Sequence, residues 1–113
     1  MADGIPVAVN GEVGILAFRP YGGTESIAAT TVSANALMGY DGLFKSRTVR
    51  VYNAGAATVF LRFGGPSVVA VATDMPIPTG IIEMFRPPRD ATHVAAITSA
   101  ATATVYVTTG EGT

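Results

Sequence analysis

The chain predicts an all-β fold, a sandwich or barrel of short antiparallel strands in a single domain, on three observations. Val, Thr, Ala and aromatic residues dominate, Gly (13) and Pro (7) interrupt the chain at short intervals, and sustained helical periodicity is hard to find. At 113 residues the chain supports one compact domain with one core and is too short for two.

Alternation of apolar and polar residues between turn signals places strands at residues 5–9, 13–18, 26–32, 48–53, 58–63, 68–72, 81–86, 92–98 and 102–108. The least defined part is 26–38, where Asn35-Ala36-Leu37-Met38 fits a helical turn as readily as a strand, and Gly39-Tyr40-Asp41-Gly42 reads as a loop. Residues 49–64, VRVYNAGAATVFLRFG, read as a hairpin about Ala54-Gly55-Ala56. That register puts Val51 opposite Val59 and Val49 opposite Leu61 on a core face, with Arg50, Tyr52, Thr58, Phe60 and Arg62 on the other. Two arginines beside two aromatic rings suit a partner-contacting face, or Arg stems packed over exposed rings. Residues 74–80, DMPIPTG, carry two prolines that withhold backbone donors, so this segment crosses a sheet edge and stays out of a sheet interior.

The C-terminal segments 92–98 and 102–108 alternate about Ser99-Ala100-Ala101, which would pair Val94 and Ala96 with Ala103 and Val105 and leave His93 and Tyr106 on the reverse side. That turn lacks Gly or Asn. Small Ala and Thr side chains fill little volume, so the bulk of the core is expected from Val49, Val51, Val59, Leu61, Phe63, Ile81, Phe85 and Val105.

Hydrophobic residues make up 49% and charged residues 13%, against roughly 25% charged in an average soluble domain. A surface so poor in charge points to burial against other subunits. A formal net charge of -1 offers no basic field for a nucleic-acid partner. With no cysteine, the chain forms no disulfide, thiolate nucleophile or sulfur-ligated metal site. The first residues show no basic segment followed by an apolar one, and no apolar run approaches the roughly 18 residues needed to span a bilayer, so neither a cleaved export signal nor a membrane partner is expected.

Few residues offer reactive chemistry. His93 is the single histidine, and a base oriented by Asp90 is far less expected than a structural His on a strand. The carboxylates Asp3, Glu12, Glu25, Asp41, Asp74, Glu83, Asp90 and Glu111 are scattered with no acid–base spacing. Gly22-Gly23 and Gly64-Gly65 belong to no phosphate-binding motif and read as turns. Glu83, inside an apolar run, is either a buried carboxylate paired with arginine or an edge-strand charge that deters sheet pairing. Lys45, Arg47 and Arg50 form the one basic cluster, which suits docking to an acidic patch on a protein, with a solvated face as the bland alternative.

Three segments, SRTVRVYNAGAATVFLRFG, TDMPIPTGIIEMF and THVAAITSAATATVYVTTGEG, resemble small virion proteins of tailed bacteriophages, described as head decoration, cement or capsid stabilisation proteins. The likeness spans residues 46–113 and rests on the order and character of the segments, with no match in residues 1–45. It implies a jelly-roll-like β-sandwich, commonly a homotrimer, that clamps neighbouring copies of the major capsid protein on the outer surface of the virion. Residues 1–14, with their Gly and Pro content, are the candidate N-terminal arm.

The expectation is thus a non-enzymatic decoration protein with no cofactor and no metal, contacting the capsid through Lys45, Arg47, Arg50, Tyr52, Phe60, Arg62, His93 and Tyr106. The runner-up is a tail, head-fibre or receptor-contacting module in which Tyr21, Tyr40, Tyr52 or Phe60 binds a host glycan.

Overall fold

The structure is a computed structural model, and it describes residues 17–38 and 48–111. Eight strands follow one another: β1 (Arg19–Ala29), β2 (Ala34–Leu37), β3 (Thr48–Asn53), β4 (Val59–Gly64), β5 (Met75–Ile77), β6 (Ile82–Phe85), β7 (His93–Thr98) and β8 (Ala103–Glu111). They pair antiparallel in two sheets of order β1–β8–β3–β6 and β2–β7–β4–β5, the arrangement of an eight-stranded jelly roll. The expected β-sandwich is therefore present, with no helix among the described residues.

The predicted hairpins are not. Consecutive strands alternate between the sheets everywhere except at β4 and β5, so β3 and β4 belong to opposite layers, as do β7 and β8. Val51 pairs with Val107 and Glu83, while Val59 pairs with Thr98 and Ile77. Val94 and Ala96 likewise belong to a different sheet from Ala103 and Val105. These residues still share one core, because each turn arches over the end of the sandwich and brings the inward phases of both strands face to face. Period-two alternation marks which side chains point inward but does not say whether the partner strand lies beside or across.

The core is built from Ile27, Val49, Val51, Val105 and Val107 of the first sheet and Val59, Leu61, Ile77, Val94 and Ala96 of the second. Phe63 and Phe85, half-buried, meet between the layers with ring centroids 5.5 Å apart and tilted by 60°, a favourable edge-to-face geometry. Ile81 is a correction: it precedes β6, remains 39% exposed and takes no place in the core. Ile27, Met38, Ile77 and Val107 supply bulk that the sequence reading did not assign.

Other boundaries shift for local reasons. Asn35–Leu37 is strand, held by antiparallel pairing of β2 to β7. β1 begins earlier than expected, carries a register shift between Pro20 and Thr24, and ends at Ala29, where Thr30 Oγ1 accepts the Val32 amide at 3.1 Å and turns the chain. The predicted strand at 5–9 and residues 13–16 of the one at 13–18 lie outside the described residues, as do residues 1–14, the candidate arm; residues 17–18 are not strand. Pro76 sits in β5, an edge strand, where a missing N–H costs no ladder bond on the outer side. In the β7–β8 arch, Ala101 takes φ 68° in place of the absent Gly, and Thr98 Oγ1 donates to its carbonyl at 2.6 Å.

Thr109 sits fully buried opposite Val49, and among the described residues its hydroxyl has no hydrogen-bond partner. An unpaired buried hydroxyl is a desolvation cost, which the isosteric valine removes. Thr109→Val is expected to leave thermal unfolding unchanged or to raise stability by up to about 1 kcal/mol, read by circular dichroism. A loss of that size would show that the hydroxyl has a partner.

Candidate functional site

Two outer faces result, and they differ in character. On the second sheet, the β4–β5 connection folds back across its own strands. The Asn35 Nδ2 donates to the carbonyls of Pro66 at 3.2 Å and Val68 at 3.3 Å, and Ser33 Oγ accepts the Ala70 amide at 2.9 Å. Asp74 closes this strap: its Oδ2 accepts the Val71 amide at 2.7 Å, and its Oδ1 takes both Nε (3.0 Å) and Nη2 (2.9 Å) of Arg62. Residues 68–72, expected as a strand, are therefore part of a loop that buries Ala70 and covers the outward-phase Ala95.

The Val71 amide and the Arg62 guanidinium hold the Asp74 carboxyl below its usual range, against the partial burial that pushes the other way. A depressed native pKa contributes stability that is present above the unfolded value, about 3.9, and lost as pH falls through the native one. Asp74→Asn should therefore melt below the parent at pH 7, and the gap should close as both are taken to pH 2–3. A gap independent of pH would mean that the carboxylate's charge plays no part in holding the strap.

On the first sheet no segment among the described residues crosses the outer face. Two cross-strand rows run the width of the sheet: Ser26, Tyr106, Tyr52, Ile82, and beside it Thr24, Thr108, Arg50, Met84. A shorter row, Ala28 and Thr104, flanks them. Tyr52 and Tyr106 stack with centroids 6.2 Å apart and planes within 20°, and each keeps 38% of its surface exposed; Ile82 keeps 46%. The hydroxyls of Thr24 and Thr108 bond each other at 2.7 Å. Arg50 is the single formal charge in these rows, and among the described residues it makes no ion pair.

The eight expected contact residues are thus divided. Arg50, Tyr52 and Tyr106 gather on the open face. Phe60, Arg62 and His93 lie on the opposite side of the sandwich. There Phe60 is half-buried between Ile97 and Pro76, and Arg62 ties the strap. His93 is half-buried with its Nδ1 bonded to Thr92 Oγ1 at 2.8 Å, a neighbour other than Asp90. Lys45, Arg47 and Tyr40 lie outside the described residues, and Tyr21 falls at the β1 bulge. The split follows from the missing hairpin: Arg50 and Tyr52 share no face with Phe60 and Arg62 when β3 and β4 belong to different layers. Glu83 is exposed on edge strand β6, which favours its reading as an edge charge.

Ile82, Met84, Thr24 and Thr108 were missed. The alternation Ile82–Met84 against Glu83–Phe85 carried the signal for two of them, but in the run at 81–85 only Ile81 and Phe85 were assigned a place, in the core.

No family model matches the chain, and no curated protein matches it in sequence. Among solved structures it is similar to a protein from "Bacillus endospore appendages form a novel family of disulfide-linked pili", at 17% identity over 95% of each chain with a TM-score of 0.54. A second similar structure, "Crystal structure of PirA", aligns at 14% identity over 78% of this chain and 93% of that one, with a TM-score of 0.48. At such identities the first likeness concerns the fold alone.

Proposed function

We propose that the chain is a structural subunit that works by being covered: a decoration or cement protein of a tailed-phage head, seated on the major capsid protein through the outer face of β1–β8–β3–β6. The observation that carries the reading is that face, two full rows of Tyr, Ile, Met, Thr and Ser with one charge, which no described segment crosses, while the β4–β5 loop lies over the opposite face. A sheet face of that composition costs solubility in a free monomer, whereas Tyr, Met and Arg are the side chains enriched where proteins meet. The resemblance of residues 46–113 to head decoration proteins supplies the particular partner.

The mechanical role follows from area and number. A shell under internal pressure parts at its subunit boundaries, and a protein bridging a boundary opposes this with the surface it buries there. Interfaces of about 1,600 Å² range from weak to very tight, and a homotrimer holding several boundaries at once gains effective concentration without tighter individual contacts.

The test mixes purified chain with phage heads assembled from the same virus's major capsid protein but lacking this chain, then sediments them. Saturable binding at a fixed ratio to capsid protein is expected, and loss of binding in a folded Tyr52→Glu/Tyr106→Glu double variant. A folded parent chain that leaves the heads bare and binds bacterial surface polysaccharide would transfer the protein to the receptor-binding class.

A further inference from the structure

We propose that Arg50, the two tyrosines and the paired threonines form a receptor for one carboxylate, presented by an Asp or Glu side chain of the protein that docks on the open face. This rests on the docking reading above and specifies what the partner must carry.

The neighbours of Arg50 are Thr108 and Met84 across the strands and Tyr52 two residues along, with Tyr106 and Thr24 completing the rim of a depression of about 210 Å³. None is acidic. Glu25 and Glu83, the acidic residues of the flanking edge strands β1 and β6, stand in the opposite phase, with Ile27 and Phe85. Among the described residues the Arg50 guanidinium has no intramolecular carboxylate of the kind that Arg62 and Arg19 each have. Among the described residues, the side chains that line the depression with it all bear hydroxyls: Thr24, Tyr52, Tyr106 and Thr108. A planar fork of donors beside hydroxyl groups matches a carboxylate, which accepts two parallel bonds from arginine and further bonds from hydroxyls.

Size decides the source. Sites that hold a free small molecule enclose about 300–1,000 Å³ and bury most of the ligand. This depression is smaller and open, so a free acid binds there only weakly and leaves the neighbouring Ile82 and Met84 wet. A protein surface covers both in the same act that delivers the carboxylate, and excluding water strengthens the ion pair at its centre.

Two measurements test it. In the sedimentation assay, Arg50→Gln is expected to weaken binding to heads about 30-fold or more, with Arg50→Lys intermediate because it keeps charge but loses the fork. Heads that bind the parent and Arg50→Gln equally overturn the inference and leave the docking reading standing. The second measurement needs no capsid: NMR of the full chain titrated with capped glutamate, N-acetylglutamate N-methylamide. Saturable shifts at the Arg50 Nε–H and the Tyr52 and Tyr106 rings are expected, absent with capped glutamine and with Arg50→Gln. No shift overturns the carboxylate receptor even where heads bind. Glucuronate saturating the site far below capped glutamate overturns the protein source in favour of an acidic sugar.

Discussion

Replacing Asn53 by alanine should lower stability by about 3 to 5 kcal/mol, a fall in Tm of roughly 12 °C or more. Asn53 ends β3 and is completely buried. Its Nδ2 donates to the carbonyls of Ala57 at 2.8 Å and Ile77 at 2.9 Å, and its Oδ1 accepts the Gly55 amide at 3.0 Å. Its backbone also takes part, donating to Ile81 and accepting from Gly80. One side chain therefore joins the end of β3 in one sheet to the β3–β4 arch and to β5 in the other. Alanine leaves two carbonyls and an amide without this partner in a dry interior, where each lost bond costs more than its net contribution in water. Aspartate should do no better, since it offers no donors to the two carbonyls and buries a charge. Thermal melts read the effect, and a Tm within 3 °C of the parent would mean that water replaces the amide.

Gly55→Ala, the smallest change available, should cost about 3 kcal/mol, at the upper end of what overpacking does. A Cβ at Gly55 would overlap both Cα and Cβ of Ala103 and approach the Thr104 amide nitrogen to 2.9 Å. The obstruction is largely backbone, so no rotamer relieves it. The β3–β4 arch lies directly on the first residue of β8 and is held there by the Ala54 amide, which donates to the Thr104 carbonyl at 2.9 Å. Gly65→Ala is the internal control: nothing lies within 4 Å of a Cβ there, and little change is expected. Combining Gly55→Ala with Ala103→Gly should recover part of the loss, because one of the two overlapping atoms is then gone. Equal stability of Gly55→Ala and Gly65→Ala in chemical denaturation would rule out this contact.

The class of the fold was legible because β-branched alternation and frequent turns leave little else for a chain of this length to do. β3 was bounded correctly at both ends, and the inward phase of most strands followed from parity. Pairing was not legible. Alternation in VRVYN and VFLRF is identical for a hairpin and for an arch, and the choice is made by distant strands β7 and β8, which claim the edges that a hairpin would have used. The site inherited that error, so Arg50, Tyr52 and Tyr106 were grouped correctly, while Phe60, Arg62 and His93 were assigned to the same surface and lie on the other. Asn53 was visible only as an Asn before a Gly-containing turn. That it reaches Ile77, 24 residues away, depends on β5 lying beside β4.

The pairing of β1 with β8 has a consequence for biosynthesis. β8 lies between β1 and β3, so the first sheet has no continuous ladder until residues 103–111 have been translated and have cleared the ribosome. Nascent β1 and β3 therefore wait with unpaired edges for β8, the last of the described strands to be made. Deletion of residues 103–111 should therefore yield aggregation or degradation in the cell, where loss of one strand from a protein of local hairpins would trim one border.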